Sequence, residues 1–437
     1  MTTMEKSPSN ILEKKRLSMT MSLICLAIFA LSYLTNAMDR QIFPMLLSWI
    51  SKTYGFDLKE SGLLSTVFTL GIGLAAWPTG LLLDRRPRKE VLIIGMIIYS
   101  VFTYATTLSR GFMDMLIYNL LTGVGEGMQI AALFAAGGSY FYNNKALVIG
   151  TINFGYGVGC FLGPYYGTRL MLATNDWHMP FIIFAAMGIA MALVIWFAIP
   201  SVFSESKGPV TNNAVNGADK VLFDNMPEEF WNRNLGLVGV AAVTWGFALY
   251  SYMSLYSTFL IKQLNFAPML AGTSFGFFGI GAMFGIPAGW LGDRYSNRRV
   301  AIGAWCGLAI NWYLMYNVMT EPWQHNILSL LTGLFATSCL HANVLSLAQR
   351  SVRPEFVGRA TGFFSSCGFT AASFAGIVFA WAVQIFGWTG AALIISVGCP
   401  LIAVVALLLI KDAKLSITPK KIAVLVNGAR DAAAIGR

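Results

Sequence analysis

Apolar residues run through this chain in long blocks separated by short polar turns. A helix needs about 20 mostly apolar residues to cross the hydrocarbon core of a bilayer. Blocks of that kind fall at 17–50, 60–83, 91–109, 112–135, 147–170 and 179–199, and resume at 235–260, 268–291, 300–319, 325–348, 358–384 and 388–410. The pattern predicts an all-α membrane protein of twelve spanning helices in two six-helix bundles. The expected domains are an N-terminal bundle over 1–200, a cytoplasmic linker over 201–232, a C-terminal bundle over 233–410 and a cytoplasmic tail over 411–437. The first block exceeds one span, so its helix must tilt or project beyond the bilayer.

Local signals mark several ends. Asp57-Leu58-Lys59-Glu60 has the spacing of a capping box ahead of the second block. Pro180, Pro268 and Pro354 stand at turns or helix starts, where a missing N–H costs little. Pro44, Pro78, Pro164 and Pro287 fall inside blocks and predict kinks. The polar segment reads as a flexible linker followed by a short interfacial helix at Pro227-Glu228-Glu229-Phe230-Trp231.

Composition agrees with a membrane protein: 56% of the residues are apolar and 11% charged, too few charges to cover a soluble surface. The net charge of +10 argues for no nucleic-acid partner, because the basic residues sit in short loops. With both termini inside, 24 of the 30 Lys and Arg residues face the cytoplasm, which sets the expected orientation by the positive-inside rule. Lys14-Lys15-Arg16 before the first block resembles a signal-peptide start, but the block is too long and no small-x-small site follows. It is expected to stay as the first span. All six cysteines fall in apolar blocks, without metal-ligand spacing, and read as packing residues.

The first block also holds the chain's most unusual chemistry. Asp39 and Arg40 are its only charges, and an acid and a base in such a run mark a paired functional site. Ser32, Tyr33, Asn36, Asp39, Arg40 and Phe43 recur at helical steps and make one polar stripe. The fourth block carries a second stripe of Asn119, Thr122, Gly123, Glu126 and Gln129. A carboxyl in a low-dielectric site, such as Glu126, is a candidate for taking up a proton; the alternative is a glutamate that hydrogen-bonds two helices together.

The halves repeat. Gly80-Leu81-Leu82-Leu83-Asp84-Arg85 recurs as Gly289-Trp290-Leu291-Gly292-Asp293-Arg294, 209 residues later, and Leu120-Leu121-Thr122-Gly123 as Leu330-Leu331-Thr332-Gly333, 210 residues later. Two stretches at nearly one offset argue for duplicated six-helix units. The loop Gly80-x-x-x-Asp84-Arg85-x-Pro87-Arg88-Lys89, and its copy from Gly289 through Asp293 and Arg294 to Arg299, resembles the signature of the major facilitator superfamily, with Pro87 and Ser296 in place of the second glycine. The resemblance implies a conformational latch on the cytoplasmic side, carried by Gly80, Asp84, Arg85, Arg88, Gly289, Asp293 and Arg294.

Asp39-Arg40 late in the first block, with Gly123-Val124-Gly125-Glu126 in the fourth, resembles more narrowly the anion:cation symporter family of sugar-acid and organic-anion carriers. Spinster-type carriers share much of the pattern. The likeness runs over most of residues 20–200 and more weakly beyond. It implies that Asp39 and Glu126 are proton sites and that Arg40 serves the anion or couples to them. The family commonly has a further arginine four residues before Gly123; here it is Asn119, which leaves Arg40 as the one firmly intramembrane cation. Gly159-x-x-x-Gly163-Pro164-x-x-Gly167 in the fifth block resembles the glycine-proline motif of drug/proton antiporters and keeps efflux open.

The second half offers fewer charges. Thr337, Ser338 and His341 share one face of the tenth block; Trp245, Tyr252 and Tyr256 share one of the seventh. Asn153 and Tyr156 of the fifth block, and Ser365 and Ser366 of the eleventh, are weaker candidates; His178 and His325 sit at turns. Together with Tyr33, Asn36, Arg40, Asn119 and Gln129, the residues Tyr156, Tyr252 and His341 complete the expected substrate site. No phosphate-cradling Gly-x-x-x-x-Gly-Lys-Ser/Thr, nucleophile–base set or metal-ligand cluster is present, so neither an enzyme nor an ATP-driven pump is expected. The expectation is a monomeric carrier in a bacterial inner membrane, without cofactor or metal, importing a small organic anion on the proton gradient. A drug or metabolite exporter and a non-transporting sensor are the alternatives.

Overall fold

A computed structural model of the chain describes residues 17–56, 58–206 and 226–416. These residues form helices and contain no strand. The first six are α1 (Met19–Tyr54), α2 (Leu58–Leu82), α3 (Arg88–Thr106), α4 (Phe112–Tyr140), α5 (Lys145–Thr174) and α6 (His178–Ala198). The second six begin with α7 (Arg233–Lys262). Next, α8 comprises Pro268–Ala282 and, beyond a break, Gly285–Arg294; α9 is Asn297–Asn317. In α10, Pro322–Thr332 passes through a wider π-helical stretch, Gly333–His341, into Ala342–Arg350. The last two are α11 (357–386) and α12 (388–408), which meet at Gly387, whose φ of 68° breaks the helix between them.

Nine helical stretches among the described residues are long and apolar enough to cross a membrane on their own. The two pieces of α8, bent by 43°, supply a tenth, and the stretch Pro354–Leu408 holds two spans because it turns at Gly387. The remaining span, α9, is made more polar by Asn297, Arg298 and Arg299 in its first turn. The total is twelve, at nearly the expected bounds.

Helix starts use the residue types that can accept orphan backbone N–H groups. Ser18 Oγ accepts from Met21 N at 3.3 Å to open α1, and Asn232 Oδ1 accepts from Leu235 N at 3.0 Å to open α7. At α10, Glu321 and Gln324 form a capping box. The capping box expected at Asp57 lies outside the described residues, as do residues 1–16, 207–225 and 417–437 of the termini and linker. Helix α1 has 36 residues, so at about 1.5 Å each it is about 54 Å long and overshoots the ~30 Å hydrocarbon core. Pro44, Pro78 and Pro164 lie in helices that run on without a break, whereas Pro287 follows the bend in α8.

One local expectation fails. Pro227–Trp231 is not helical. The Asn232 cap follows it at once and leaves no room for a separate turn. Its rings pack down instead: Phe230 and Trp231 lie 5.8 and 5.6 Å from Trp77, and Trp231 lies 5.3 Å from Phe363.

Between the first and second six helices, α2 packs on α11 and α5 packs on the second piece of α8. Glycine permits both approaches. A Cβ on Gly80 would stand 3.0 Å from Gly358 O, and one on Gly289 only 2.1 Å from Ala146 O. Large apolar side chains such as Phe197, Leu172, Trp381 and Leu401 are exposed on the outside, as suits a surface bathed in lipid.

Candidate functional site

The α1 and α4 stripes face each other in the first bundle and are joined by buried polar groups. Arg40 Nε and Nη2 both donate to Glu126 Oε2, at 2.8 and 2.6 Å. Arg40 Nη2 also donates to Asn36 Oδ1 at 3.3 Å, and Asn36 Nδ2 donates to Gln129 Oε1 at 2.8 Å. Gln129 Nε2 closes the chain by donating to Ser32 Oγ at 2.9 Å. Glu126, Gln129 and Asn36 are fully buried and Arg40 is 8% exposed. The guanidinium lies 6.0, 5.5 and 5.6 Å from the rings of Phe68, Tyr156 and Phe369, which add cation–π attraction.

Asp39 points elsewhere. Consecutive helix residues differ by about 100° in direction, and Asp39 Oδ2 accepts from Thr103 Oγ1 of α3 at 2.8 Å. Two carboxylate oxygens, Asp39 Oδ1 and Glu126 Oε1, are buried without a hydrogen-bond partner. An unpartnered carboxylate oxygen away from water is costly, and a proton on it removes most of that cost.

Two cavities share Arg40 as a wall. One lies inside the first bundle toward the ends joined by the α1–α2 and α3–α4 turns; Asp39, Arg40, Phe68, Thr103, Asn119 and Phe181 are among its walls. The other lies between the bundles and is lined by Tyr33, Arg40, Asn153, Tyr156, Trp245, Leu249, Tyr250, Met253, Phe278, Thr337, His341 and Phe369. Arg40 lines both; Asp39 lines only the first.

The second bundle brings His341 to the central cavity. Asn153 Nδ2 of α5 donates to His341 Nδ1 at 2.8 Å across the bundles, so the imidazole carries its hydrogen on Nε2. The π-helical stretch of α10 places Thr337 and His341 on this wall, and Trp245 Nε1 donates to Ala336 O of that stretch at 2.8 Å. Of the other expected substrate residues, Tyr33 stacks on Tyr156 at 5.2 Å within the central cavity. Asn119 donates to Leu64 O at 3.1 Å beside the Asp39 cavity, and Gln129 stands behind Arg40. Tyr252 packs inside the second bundle, with its hydroxyl 3.0 Å from Ser329 Oγ. His325 is buried there too, 3.0 Å from the Tyr256 hydroxyl, and His178 pairs with Asp176 at 2.5 Å.

The signature loops make cross-bundle contacts at the opposite end from the Asp39 cavity. Asp84 accepts from Arg359 Nε at the start of α11. Asp293 Oδ2 accepts from Leu147 N in the first turn of α5 at 2.7 Å, and its Oδ1 accepts from Arg350 Nη2 at 3.0 Å. A carboxylate at a helix N-terminus is favoured by the helix dipole as well as by the hydrogen bond. Gln349 adds a tie by donating to Phe134 O of α4 at 3.1 Å. Arg88 is buried and donates to Ser206 O at 2.8 Å, while Arg85 and Arg294 are exposed and Arg294 lies over the Trp290 ring. Arg350, Arg359, Gln349, Thr103 and two of the three rings around Arg40, Phe68 and Phe369, were not singled out in the sequence. The two arginines carry a retrospective signal, since both lie near the ends of the helices that face the signature loops.

Two six-helix bundles around a central cavity, with an ion pair at mid-helix and paired cross-bundle contacts at one end, define a membrane carrier. The chain belongs to the Major Facilitator Superfamily, whose family model matches residues 29–288 and 281–427. A putative metabolite transport protein of Haemophilus influenzae is 25% identical over 71% of this chain and 77% of its own length. The hexuronate transporter of Bacillus subtilis is 28% identical over 37% of this chain and 38% of that protein. Protein spinster homolog 1 of Xenopus laevis is 28% identical over 52% of this chain and 45% of that one. The last two matches thus span less than half of each relative. The solved human organic anion transporter MFSD10 (TETRAN) shares the fold, with a TM-score of 0.67 at 17% identity over 88% of this chain and 99% of its own. The protein is a transporter of this superfamily and not an enzyme.

Proposed function

We propose that the protein is a proton-coupled symporter that imports a small organic anion by alternating access. The observation that carries this reading is Arg40, buried between two cavities and held by Glu126 through two short hydrogen bonds. While Glu126 is ionised, the pair is neutral and Arg40 is occupied. Protonation of Glu126 frees the planar fork, which then grips a carboxylate arriving in the central cavity with two hydrogen bonds. Asp39, open only to the first cavity and carrying an unpartnered oxygen, is the second proton site. The hexuronate-transporting relative supports an anionic substrate. The cycle rocks residues 1–200 against 233–410 about the central site, as a monomer in a bacterial inner membrane with both termini cytoplasmic and no cofactor beyond the proton gradient.

The second reading is proton-driven efflux, favoured by the glycine-rich face of α5. There a Cβ on Gly159 would meet Leu34 O of α1 at 2.4 Å, so α5 lies directly against the helix that carries Arg40. Reconstituted vesicles decide between the two. With acid outside, a symporter accumulates hexuronate or another carboxylate, and an antiporter expels it. Arg40→Ala should abolish the accumulation, and Arg40→Lys should rescue it poorly, because lysine keeps the charge and loses the fork. Normal accumulation by Arg40→Ala would overturn the role given to Arg40.

A further inference from the structure

The end that carries the signature loops also buries a charge that their contacts do not use. Lys145 is the first residue of α5 and is fully buried. Its Nζ donates across the bundles to Gln349 O of α10 at 3.1 Å and lies 4.4 Å from the centre of the Tyr142 ring. An ammonium has three donors, yet Lys145 makes no other hydrogen bond and no ion pair among the described residues. Its surroundings add to the cost. Arg350, itself buried, donates through Nη2 to Asn143 O at 3.2 Å, two residues before Lys145, and its Nη1 has no partner. The carboxylate of this cluster, Asp293, is engaged by Arg350 and by Leu147 N. Two buried cations thus share one acid. Lys145 also stands at the positive end of the α5 dipole, an effect that Gln349 O, in the last turn of α10, offsets only in part.

One acceptor and a ring face replace only a fraction of an ammonium's hydration, so the closed end holds this charge at a loss. That loss exists only while α5 lies against the second bundle; parting the bundles there returns Nζ to water. The other cross-bundle contacts, Asp84 with Arg359, Asp293 with Leu147 N and Gln349 with Phe134 O, act in the opposite direction. Resting on the alternating-access reading above, but on no particular substrate or coupling ion, we propose that Lys145 is an opener of this end. Its desolvated charge offsets the ties around it, which keeps the closed end from becoming a trap. A simple tie through Gln349 O would have the reverse effect, so the sign of the response to removing the charge decides between the two roles.

The test is maleimide labelling of the purified full chain without substrate, read by mass spectrometry of the labelled peptide so that the six native cysteines do not interfere. One reporter is Ile149→Cys, at a buried position one turn beyond Lys145 on the face that leads to Asn153 and the central cavity. The other is Met253→Cys, on the central cavity wall and past the midpoint of α7 from the signature loops. Lys145→Met removes the charge and keeps an unbranched stem; Lys145→Gln keeps a polar tip without the charge. Both should slow labelling at 149 by roughly fivefold or more and speed it at 253. Lys145→Arg, still charged, should leave labelling at 149 at least as fast as in the wild type. Faster labelling at 149 with slower labelling at 253 in the neutral variants would make Lys145 a tie and overturn the inference. No change at 149 would overturn it as well, and in both cases the alternating-access reading stands. Labelling that shifts in the same direction at both positions of the folded protein would show that the two ends do not open in turn, and the alternating-access reading then falls with the inference.

Discussion

The Arg40–Glu126 pair makes a prediction whose size follows from its geometry. Two N–H groups of Arg40 donate to one Glu126 oxygen at 2.8 and 2.6 Å, and both side chains are buried. Hydrogen bonds to charged groups contribute about 1.5–3 kcal/mol each, and breaking a buried ion pair by removing one partner costs about 3–5 kcal/mol. Arg40→Met should therefore destabilise the protein by about 4 kcal/mol, because Glu126 then keeps neither donor. Glu126→Gln should cost less, about 1–3 kcal/mol, since its amide oxygen still accepts from Arg40 and three rings remain around the guanidinium. The double variant leaves no orphaned charge, so its loss should fall short of the sum by at least about 1 kcal/mol. Equilibrium unfolding of the substrate-free protein in detergent measures all four corners of this cycle. If the losses add to within about 0.5 kcal/mol, the two residues do not pair and the site is wrongly drawn.

The remaining predictions concern the frame around the site. Asp293→Asn keeps an acceptor for Leu147 N but loses its charge to Arg350, so the α5–α8 end should open more often. Labelling of a cysteine placed at the cavity end of α5 should then speed up several-fold, with ligand affinity changed only a few-fold; complete loss of binding in a folded protein would contradict the latch. Gly289→Ala, whose new Cβ would meet Ala146 O at 2.1 Å, should act the same way more strongly, and unchanged labelling would show that α5 and α8 do not close there. A cysteine in the segment 52–59 should react with an impermeant reagent from outside intact cells only; labelling from the cytoplasmic side alone would invert the proposed orientation.

Much of the fold is written in the sequence because the lipid environment forces long apolar helices, and their ends need only short polar turns. The α1 stripe was legible for the same reason: polar residues at helical spacing in a greasy run have few innocent explanations. Which partner Arg40 takes was not legible. Asp39 is its neighbour in sequence, yet the helical turn aims Asp39 at Thr103 of α3, and the partner of Arg40 proves to be Glu126 on α4. Helical spacing put Thr337, Ser338 and His341 on one face of α10; Thr337 and His341 do line the central cavity, whereas in the π-helical stretch Ser338 donates to Gly281 O and Ala282 O of α8. The Pro227–Trp231 segment shows the converse error. Its residues suit an amphipathic turn, but the Asn232 cap and the waiting rings of Trp77 and Phe363 decide otherwise.

The central claim is that a proton on Glu126 couples the gradient to the anion. Glu126→Gln imitates the protonated residue permanently, so the variant should bind substrate and exchange it across the membrane while losing the ability to concentrate it. Counterflow and pH-driven uptake in reconstituted vesicles separate these two capacities in one preparation. The account predicts counterflow within a few-fold of wild type and no accumulation under an imposed proton gradient. Full pH-driven accumulation by Glu126→Gln would contradict it, and would make Glu126 a packing partner of Arg40 with the coupling site elsewhere.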